Sequence, residues 1–311
     1  MDIHNNRMPK FAVLLAAYNG MSFITQQIDT ILSQINVDVH LFISVDKSSD
    51  GTEAFLMEWA RVDHRITLLP AGGRFGGAAK NFYRLFRDVD FTEYDYVSLS
   101  DQDDIWAPSK LWRAHISMLE KDALGYSSNA SAFWPSGKIL HLNKAQQQRS
   151  WDYMFEAAGP GCTYVLQKRL AKTFQDIVLE QGESLSNIEY HDWLIYAFAR
   201  ANNISWAIDS CSSILYRQHA NNQIGANTGL RSVIKRFVKM IGGHGFAQSI
   251  LIVNAINISS ASFVMRGLFN GRRGYMYLAF HARQCRRKRL DQIYFFILCF
   301  LFAIINPSLK K

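Results

Sequence analysis

Apolar and polar residues alternate in two rhythms along the first third of the chain. Phe11–Ala17 and Val39–Val45 are short runs rich in Val, Ile, Leu and Phe, the composition of strands buried on both faces. Between them Ile24, Ile28, Ile31, Leu32 and Ile35 recur at helical spacing, so the order is strand, helix, strand. The unit repeats. "SSDGTEAFLMEWA" offers a capping Ser, Asp or Thr before a short helix, "RITLLP" is a strand, and "GGRFGG" is a loop. Ala79–Arg87 follows as a helix and Tyr96–Leu99 as a strand, and Ser109 is set to cap a helix with Leu111, Trp112, His115 and Met118 on one face. Alternating strands and helices imply a mostly parallel, Rossmann-like α/β sheet with helices on both faces.

After about Gly125 the rhythm is irregular. "YSSNASAFWP" reads as a strand, "NKAQQQRS" as a polar loop, and "GPGCTYVLQKRL" as a turn and strand. "EYHDWLIYAFAR" reads as a helix and "ISWAIDSCSSILYRQH" as a late strand pair. From about Thr228 the pattern changes once more. In "RSVIKRFVKMI" the apolar and basic residues separate onto two helical faces. Ile293–Ile305 is continuously apolar, but 13 residues fall short of the roughly 20 that a spanning helix needs. The expected division is a domain over 1–227, with halves at about 1–124 and 125–227, and a basic helical region over 228–311.

Charge sharpens that division. The formal net charge is +8, yet residues from 231 onward hold fourteen Lys/Arg against one acid, Asp291, while the first 230 hold 20 basic and 25 acidic groups. The basicity belongs to the tail, which argues against a nucleic-acid partner for the whole protein. A basic amphipathic stretch followed by a short apolar one predicts a segment lying on, or dipping into, an anionic membrane face; a helical pair packed on the domain or in a homo-oligomer contact is the alternative. With 49% hydrophobic and 19% charged residues the chain is of globular type. Cys162, Cys211, Cys285 and Cys299 lack metal-site spacing and read as reduced thiols of a cytoplasmic protein. "KFAVLLAAYNG" has the outline of a signal-peptide core, but its seven apolar residues run straight into a polar motif, so a first buried strand is expected.

The candidate chemistry sits in "SLSDQDDIWAPSKL", Ser98–Leu111, where three aspartates follow an apolar run. Ligands of an open α/β sheet bind beyond the carboxyl ends of its strands, which is where Asp101, Gln102, Asp103 and Asp104 fall. Clustered carboxylates raise one another's pKa unless a cation neutralises them, and Mg²⁺ or Mn²⁺ shared with substrate phosphates would do so. A solvated, helix-capping turn is the plainer reading of the same residues.

Taken together, "LLAAYNG", "SVDKSSDGT", "KNFYRLF", "SDQDDIWAPSKL", "GPGCTYVL", "HDWLIYAFA" and "YRQHANNQIG" resemble, in this order, family 2 glycosyltransferases of GT-A type. The likeness is strongest to bacterial rhamnosyltransferase-like enzymes of O-antigen and other surface polysaccharides, and it covers roughly residues 10–227. The resemblance implies a GT-A fold and a metal-dependent, inverting sugar transfer from a nucleotide-diphosphate sugar, dTDP-L-rhamnose first and a UDP-sugar next. The implied acceptor is a lipid-linked saccharide at the cytoplasmic face of the bacterial inner membrane.

By position, Ala17, Tyr18 and Asn19 would line the base and ribose pocket. Asp46 would accept a hydrogen bond from the N3–H of uracil or thymine. Here the family's "DDGSxDGT" reads Val45, Asp46, Lys47, Ser48. Lys80 and Asn81 would lie near the nucleotide, Asp101 at the donor ribose or sugar, and Gln102 and Asp104 beside it. Asp103 would ligate the metal with His219, and Arg217 would meet the diphosphate. Asp192 would be the general base, with Gly161, Cys162 and Trp193 on the acceptor side. Two rivals share the α/β expectation: a sugar-nucleotide pyrophosphorylase, whose Gly-rich phosphate loop "AAYNGMSF" does not supply, and a non-catalytic sugar-binding membrane scaffold.

Overall fold

A computed structural model describes residues 7–219, 242–256 and 263–305. Four parallel strands, β1 (Lys10–Ala17), β2 (Asp38–Val45), β3 (Ile66–Leu68) and β4 (Tyr96–Asp101), form one side of the sheet in the order β3-β2-β1-β4. Helices α1 (Ile24–Leu32), α2 (Thr52–Val62) and α3 (Ala78–Asp88) connect them. Strand β1 shows why this half was readable. Its odd residues Phe11, Val13 and Leu15 pack with α1 on one face, and Ala12, Leu14 and Ala16 pack with α3 on the other. Burial on both faces removes the alternation an edge strand would show.

The second half extends the sheet with mixed directions. Strand β5 (Ile105–Trp106) and helix α4 (Lys110–Glu120) follow the aspartates, then β6 (Gly125–Phe133), β7 (Ile139–Leu142) and β8 (Val165–Gln167). Helices α5 (Lys168–Gln181) and α6 (His191–Ala201) precede β9 (Trp206–Arg217). Strand β8 is antiparallel to β4 and β6, β9 is parallel to β6, and β5 is antiparallel to β9. The expected late strand pair is one continuous strand. A register shift opposite Ser128–Ser131 of β6 absorbs the irregular "DSCSS" that had suggested a break. Ile35 lies beyond the end of α1 and is exposed, and Ser109 precedes α4 without a side-chain capping bond.

The stretch Arg231–Ile241 lies outside the described residues. Beyond it come α7 (His244–Ala255), α8 (Phe263–Phe269), α9 (Gly271–Phe280), α10 (Ala282–Cys285) and α11 (Arg289–Ile305). Phe246, Leu278, Phe295 and Phe302 of these helices share a buried cluster with Met154, Phe155 and Trp193. At about 1.5–3 kcal/mol for each large apolar side chain buried, such contacts hold these helices firmly on the second half. Helix α11 is apolar on both sides: Phe295, Leu298, Cys299 and Phe302 face inward, while Leu290, Ile293, Ile297, Phe300 and Ile304 are exposed. Among the described residues, no helix is long and apolar enough to cross a membrane. All four cysteines are free thiols.

Candidate active site

The carboxyl edge of the parallel strands carries the first part of the site. In register, Ala17 lies beside Val45 and Ala16 beside Asp101, so Tyr18, Asn19, Asp46 and the aspartate turn emerge together. The Gln102 side chain clips this edge: its Oε1 accepts from Tyr18 N at 2.7 Å and its Nε2 donates to Tyr18 O at 2.8 Å. Gly20 makes room for that clip, because a Cβ there would lie 2.5 Å from Gln102 Oε1. Asn19 adopts φ 47°, a left-handed conformation that Asn tolerates. Its Oδ1 accepts from Ser49 N at 2.8 Å and its N–H donates to Ser48 Oγ at 3.0 Å. "AAYNG" and "VDKSSDGT" are thus tied into one rim, with Tyr18 half-exposed on it.

Asp46 is buried and its two carboxylate oxygens accept from Phe75 N and Gly76 N, each at 2.8 Å. The carboxylate expected to read a base therefore holds the Gly-rich loop of Arg74–Gly77. Asn81 is corrected. It is buried, and its Nδ2 donates to Ser44 O at 2.9 Å, so it ties α3 to the end of β2 and offers no face to a nucleotide. Lys80 is exposed in the first turn of α3.

The aspartate turn is clasped by the end of β9. Asp103 Oδ2 and His219 Nε2 are 2.6 Å apart, and the His219 ring packs against Phe23 with centroids 4.9 Å apart. Arg217 donates from its N–H to Asp104 Oδ1 at 3.2 Å and from Nε to Asp103 O at 2.8 Å, while its guanidinium lies over Phe23 and Phe133. Arg217 thus braces the turn from behind, where a diphosphate contact had been expected.

Asp104 is also corrected, since it is fully buried and cannot reach a sugar. Burial, with the charges of Asp101 and Asp103, pushes its pKa well above the usual carboxylate range. Cys162, expected on the acceptor side, is buried behind the turn close to Asp104; burial raises its thiol pKa as well. Asp101, Asp104 and Cys162 have ligand atoms within 4.8 Å of one another. A buried, protonated thiol is a poor partner for a hard cation, so this group does not fit Mg²⁺ or Mn²⁺. Asp103 with His219, a carboxylate and an imidazole whose ligand atoms lie 2.6 Å apart, does fit. Asp101 is pushed up to about 7 by burial and by the Asp103 and Asp192 charges, the like-charge cost that a bound cation relieves.

Asp192 stands in the first turn of α6, within electrostatic range of Asp101. Burial raises its pKa to about 6, against the lowering effects of the Trp193 N–H and of Lys144. A carboxylate tuned to that range can take a proton near neutral pH. Its neighbour His191 stacks on Phe82 with centroids 4.1 Å apart, and burial lowers its pKa to about 3, so it stays neutral. Gly161 packs against both: a Cβ there would meet His191 Nε2 at 2.9 Å and Asp192 Cβ at 3.2 Å. Trp193 is corrected. Its indole is buried and donates to Tyr153 O at 2.8 Å, so no ring face is left for a sugar. The sequence reading missed Lys110, buried under the turn, and Lys144, in the polar loop beside Asp192.

A parallel half with a DxD turn at its carboxyl edge, and a half-buried acid facing that turn from the second half, defines a nucleotide-sugar-dependent glycosyltransferase of GT-A fold. Comparison with known proteins agrees. The profile of the family described as glycosyltransferase like family 2 matches residues 9–125. The dTDP-rhamnosyl transferase RfbG of Shigella flexneri is 41% identical over 292 residues, 92% of this chain and 99% of that protein. The chain belongs to glycosyltransferase family 2. The glucosyltransferase WfgD of Escherichia coli, named for UDP-Glc and α-D-GlcNAc-diphosphoundecaprenol, is 26% identical over 196 residues, 62% of this chain and 71% of that one. Among solved structures, Staphylococcus aureus TarS 1–349 with UDP aligns over 95% of this chain and 81% of its own, with TM-score 0.58 and 15% identity. The Pyrobaculum calidifontis mannosyltransferase PcManGT with GDP-Man and Mn²⁺ aligns over 96% and 86%, with TM-score 0.51 and 15% identity. These two likenesses establish the fold.

Proposed function

We propose that the protein transfers L-rhamnose from dTDP-L-rhamnose, with inversion, to a saccharide carried on a lipid diphosphate at the cytoplasmic face of the bacterial inner membrane. The observation that carries the reading is a half-buried carboxylate, Asp192, tuned near neutrality opposite a DxD turn. The near full-length likeness to a dTDP-rhamnosyl transferase supports the donor. The E. coli relative's named acceptor supports a lipid diphosphate. The exposed apolar side of α11, with Arg283, Lys288 and Arg289 close to its start, supports a membrane-facing surface.

In this reading the rim of Ala17, Tyr18 and Asn19, with the loop pinned by Asp46, holds the nucleotide. Asp101 orients the donor sugar, and Asp103 and His219 hold Mg²⁺ or Mn²⁺. When bound, such an ion offsets the charge that gathers on the departing nucleoside diphosphate. Asp192 takes the proton of the acceptor hydroxyl as that oxygen bonds to the anomeric carbon and the bond from carbon to diphosphate oxygen breaks. Arg217 and Gln102 keep the turn and the rim in place through that displacement.

The test is a panel of nucleotide sugars assayed for donor hydrolysis with Mn²⁺ and with chelator. Metal-dependent cleavage of dTDP-L-rhamnose ahead of the others is expected. Preferred cleavage of a UDP-sugar would move the donor assignment. Release of pyrophosphate from a nucleoside triphosphate plus a sugar phosphate would replace the reaction altogether.

A further inference from the structure

The mechanism above leaves a group of cations unused. Residues 286–289 read Arg-Arg-Lys-Arg, and the first two are fastened to the segment that leads into the Gly159–Gly161 turn. Arg286 Nη1 donates to Phe155 O at 2.7 Å, Arg287 N donates to Glu156 Oε1 at 2.7 Å, and Arg287 Nη2 donates to Ala157 O at 2.6 Å. The turn that follows touches Asp192 at Gly161, and a Cβ on Gly159 would lie 3.8 Å from Lys144 Cβ. Two residues of chain span at most about 7 Å, so Lys144 and Asp192 flank one short turn.

Charge there does not balance. Arg287 and Arg200 face Asp152, Arg287 also faces Glu156, and Arg286 lies 3.9 Å from Asp291. These contacts set three arginines against three acids. Lys144 and Lys288 are left over, and neither ammonium has a hydrogen-bond or ion-pair partner among the described residues. Burial lowers the pKa of Lys144, the Glu156 charge works against that, and the positive charges of Arg287, Lys288 and Arg286 add to the lowering. Arg286 Nε, Arg287 Nε and Arg287 Nη1 are buried donors without acceptors. Gathering cations around unsatisfied donors is costly unless an anion completes the site.

The last residue of the run, Arg289, begins α11, with its exposed apolar side. A proton acceptor, a cationic patch and an apolar surface therefore follow one another. A saccharide, a diphosphate and a prenyl chain follow one another in the same order in a lipid-linked acceptor.

We propose that Lys144 and Lys288, backed by Arg286 and Arg287, bind the diphosphate of the acceptor's lipid carrier and so select acceptors in which a diphosphate lies close to the reacting sugar. This rests on the lipid-linked acceptor proposed above. A second copy of the chain is a poorer occupant, because an isologous contact would set each basic patch against its own image.

Binding is measured by calorimetry in mild detergent with farnesyl diphosphate and farnesol as probes. Transfer is measured with N-acetylglucosamine carried on farnesyl diphosphate and on an octyl group. Replacing Lys144→Gln and Lys288→Gln together should weaken farnesyl diphosphate at least about tenfold, the loss of two charge-assisted contacts. It should also lower the preference for the diphosphate-linked over the octyl-linked acceptor by a similar factor. Lys288→Glu alone should act in the same direction, and binding of the nucleotide sugar reports an intact fold.

Equal affinity of wild type and variant for farnesyl diphosphate would overturn the proposal. So would farnesol binding as tightly as farnesyl diphosphate, or equal losses on both acceptors, since Lys144 also acts on Asp192. Transfer that ignores the lysines would remove this site and leave the lipid-linked reading standing. Lysine-dependent binding without transfer to any lipid-linked sugar would remove that reading and leave the site. Binding to phosphatidylglycerol vesicles that falls as far as farnesyl diphosphate binding would assign the patch to bulk lipid headgroups instead.

Discussion

Replacing Asp192 by Asn separates the chemical from the structural work of one carboxylate. Burial lifts its pKa from 3.8 to about 6. Each unit is about 1.4 kcal/mol, so holding the charged form in the folded protein costs about 3 kcal/mol at neutral pH. The folded pKa lies above the unfolded one, so this cost is absent near pH 4, grows between about 4 and 6, and is complete above. Asn carries no charge, and its Oδ1 can still accept the Trp193 N–H that Asp192 accepts at 2.8 Å. The variant should therefore be more stable by about 2–3 kcal/mol at pH 7.5 and about equal to wild type near pH 4.

With an unfolding entropy of about 2 cal/mol/K per residue, that is a rise in Tm of roughly 3–5 °C. Turnover should fall by about 10²–10⁴, the usual contribution of a general base, while donor binding persists. Calorimetric melts at several pH values and initial rates on one preparation check both. A variant turning over within about tenfold of wild type would remove Asp192 from proton transfer. A Tm difference that does not change with pH would show that the carboxylate is not desolvated.

Two further outcomes follow from the same geometry. Gly161→Ala pushes a methyl toward His191 Nε2 and Asp192 Cβ, so kcat should drop roughly tenfold to a hundredfold with dTDP-sugar affinity kept, as kinetics with varied donor would show. On α11, Ile293→Glu with Ile297→Glu removes two exposed apolar anchors worth about 1.5 kcal/mol or more each, so partition onto anionic vesicles should fall by about 10²-fold in a sedimentation assay. Unchanged sedimentation would remove the membrane-facing role of that surface.

The parallel half was legible because its strands are buried on both faces and its helices carry one apolar stripe each; both patterns are local. The second half was not. Strand β5 has two residues and β7 is largely exposed, so neither has a hydrophobic signature. Trp193 was misread because an aromatic near a candidate base suggested a sugar platform. The run "WLIYAFA" holds the correction, since Trp193 to Ala199 are all buried and a helix apolar on every side has no free face. Arg217 could not be assigned from its neighbours. Its partner Asp103 lies 114 residues away, and only the pairing of β9 with β5 brings them together. His219 and Asp103 were linked through family resemblance rather than spacing.

Three aspartates in four positions are not three equal charges. Asp104 turns into the protein, where Lys110 Nζ lies 3.1 Å from Ser98 Oγ and 3.5 Å from the centre of the Trp106 ring. Burial raises the acid's pKa and lowers that of the amine, to about 7, while the Asp104 charge acts on Lys110 to raise it. Only Asp101 and Asp103 are left to present charge to a ligand, a requirement that one doubly charged cation matches. Removing Lys110 would open a cavity beneath the turn and take away the buried amine on which the Asp104 charge acts. The buried lysine of "PSKL" is therefore as much a part of the aspartate turn as the carboxylates themselves.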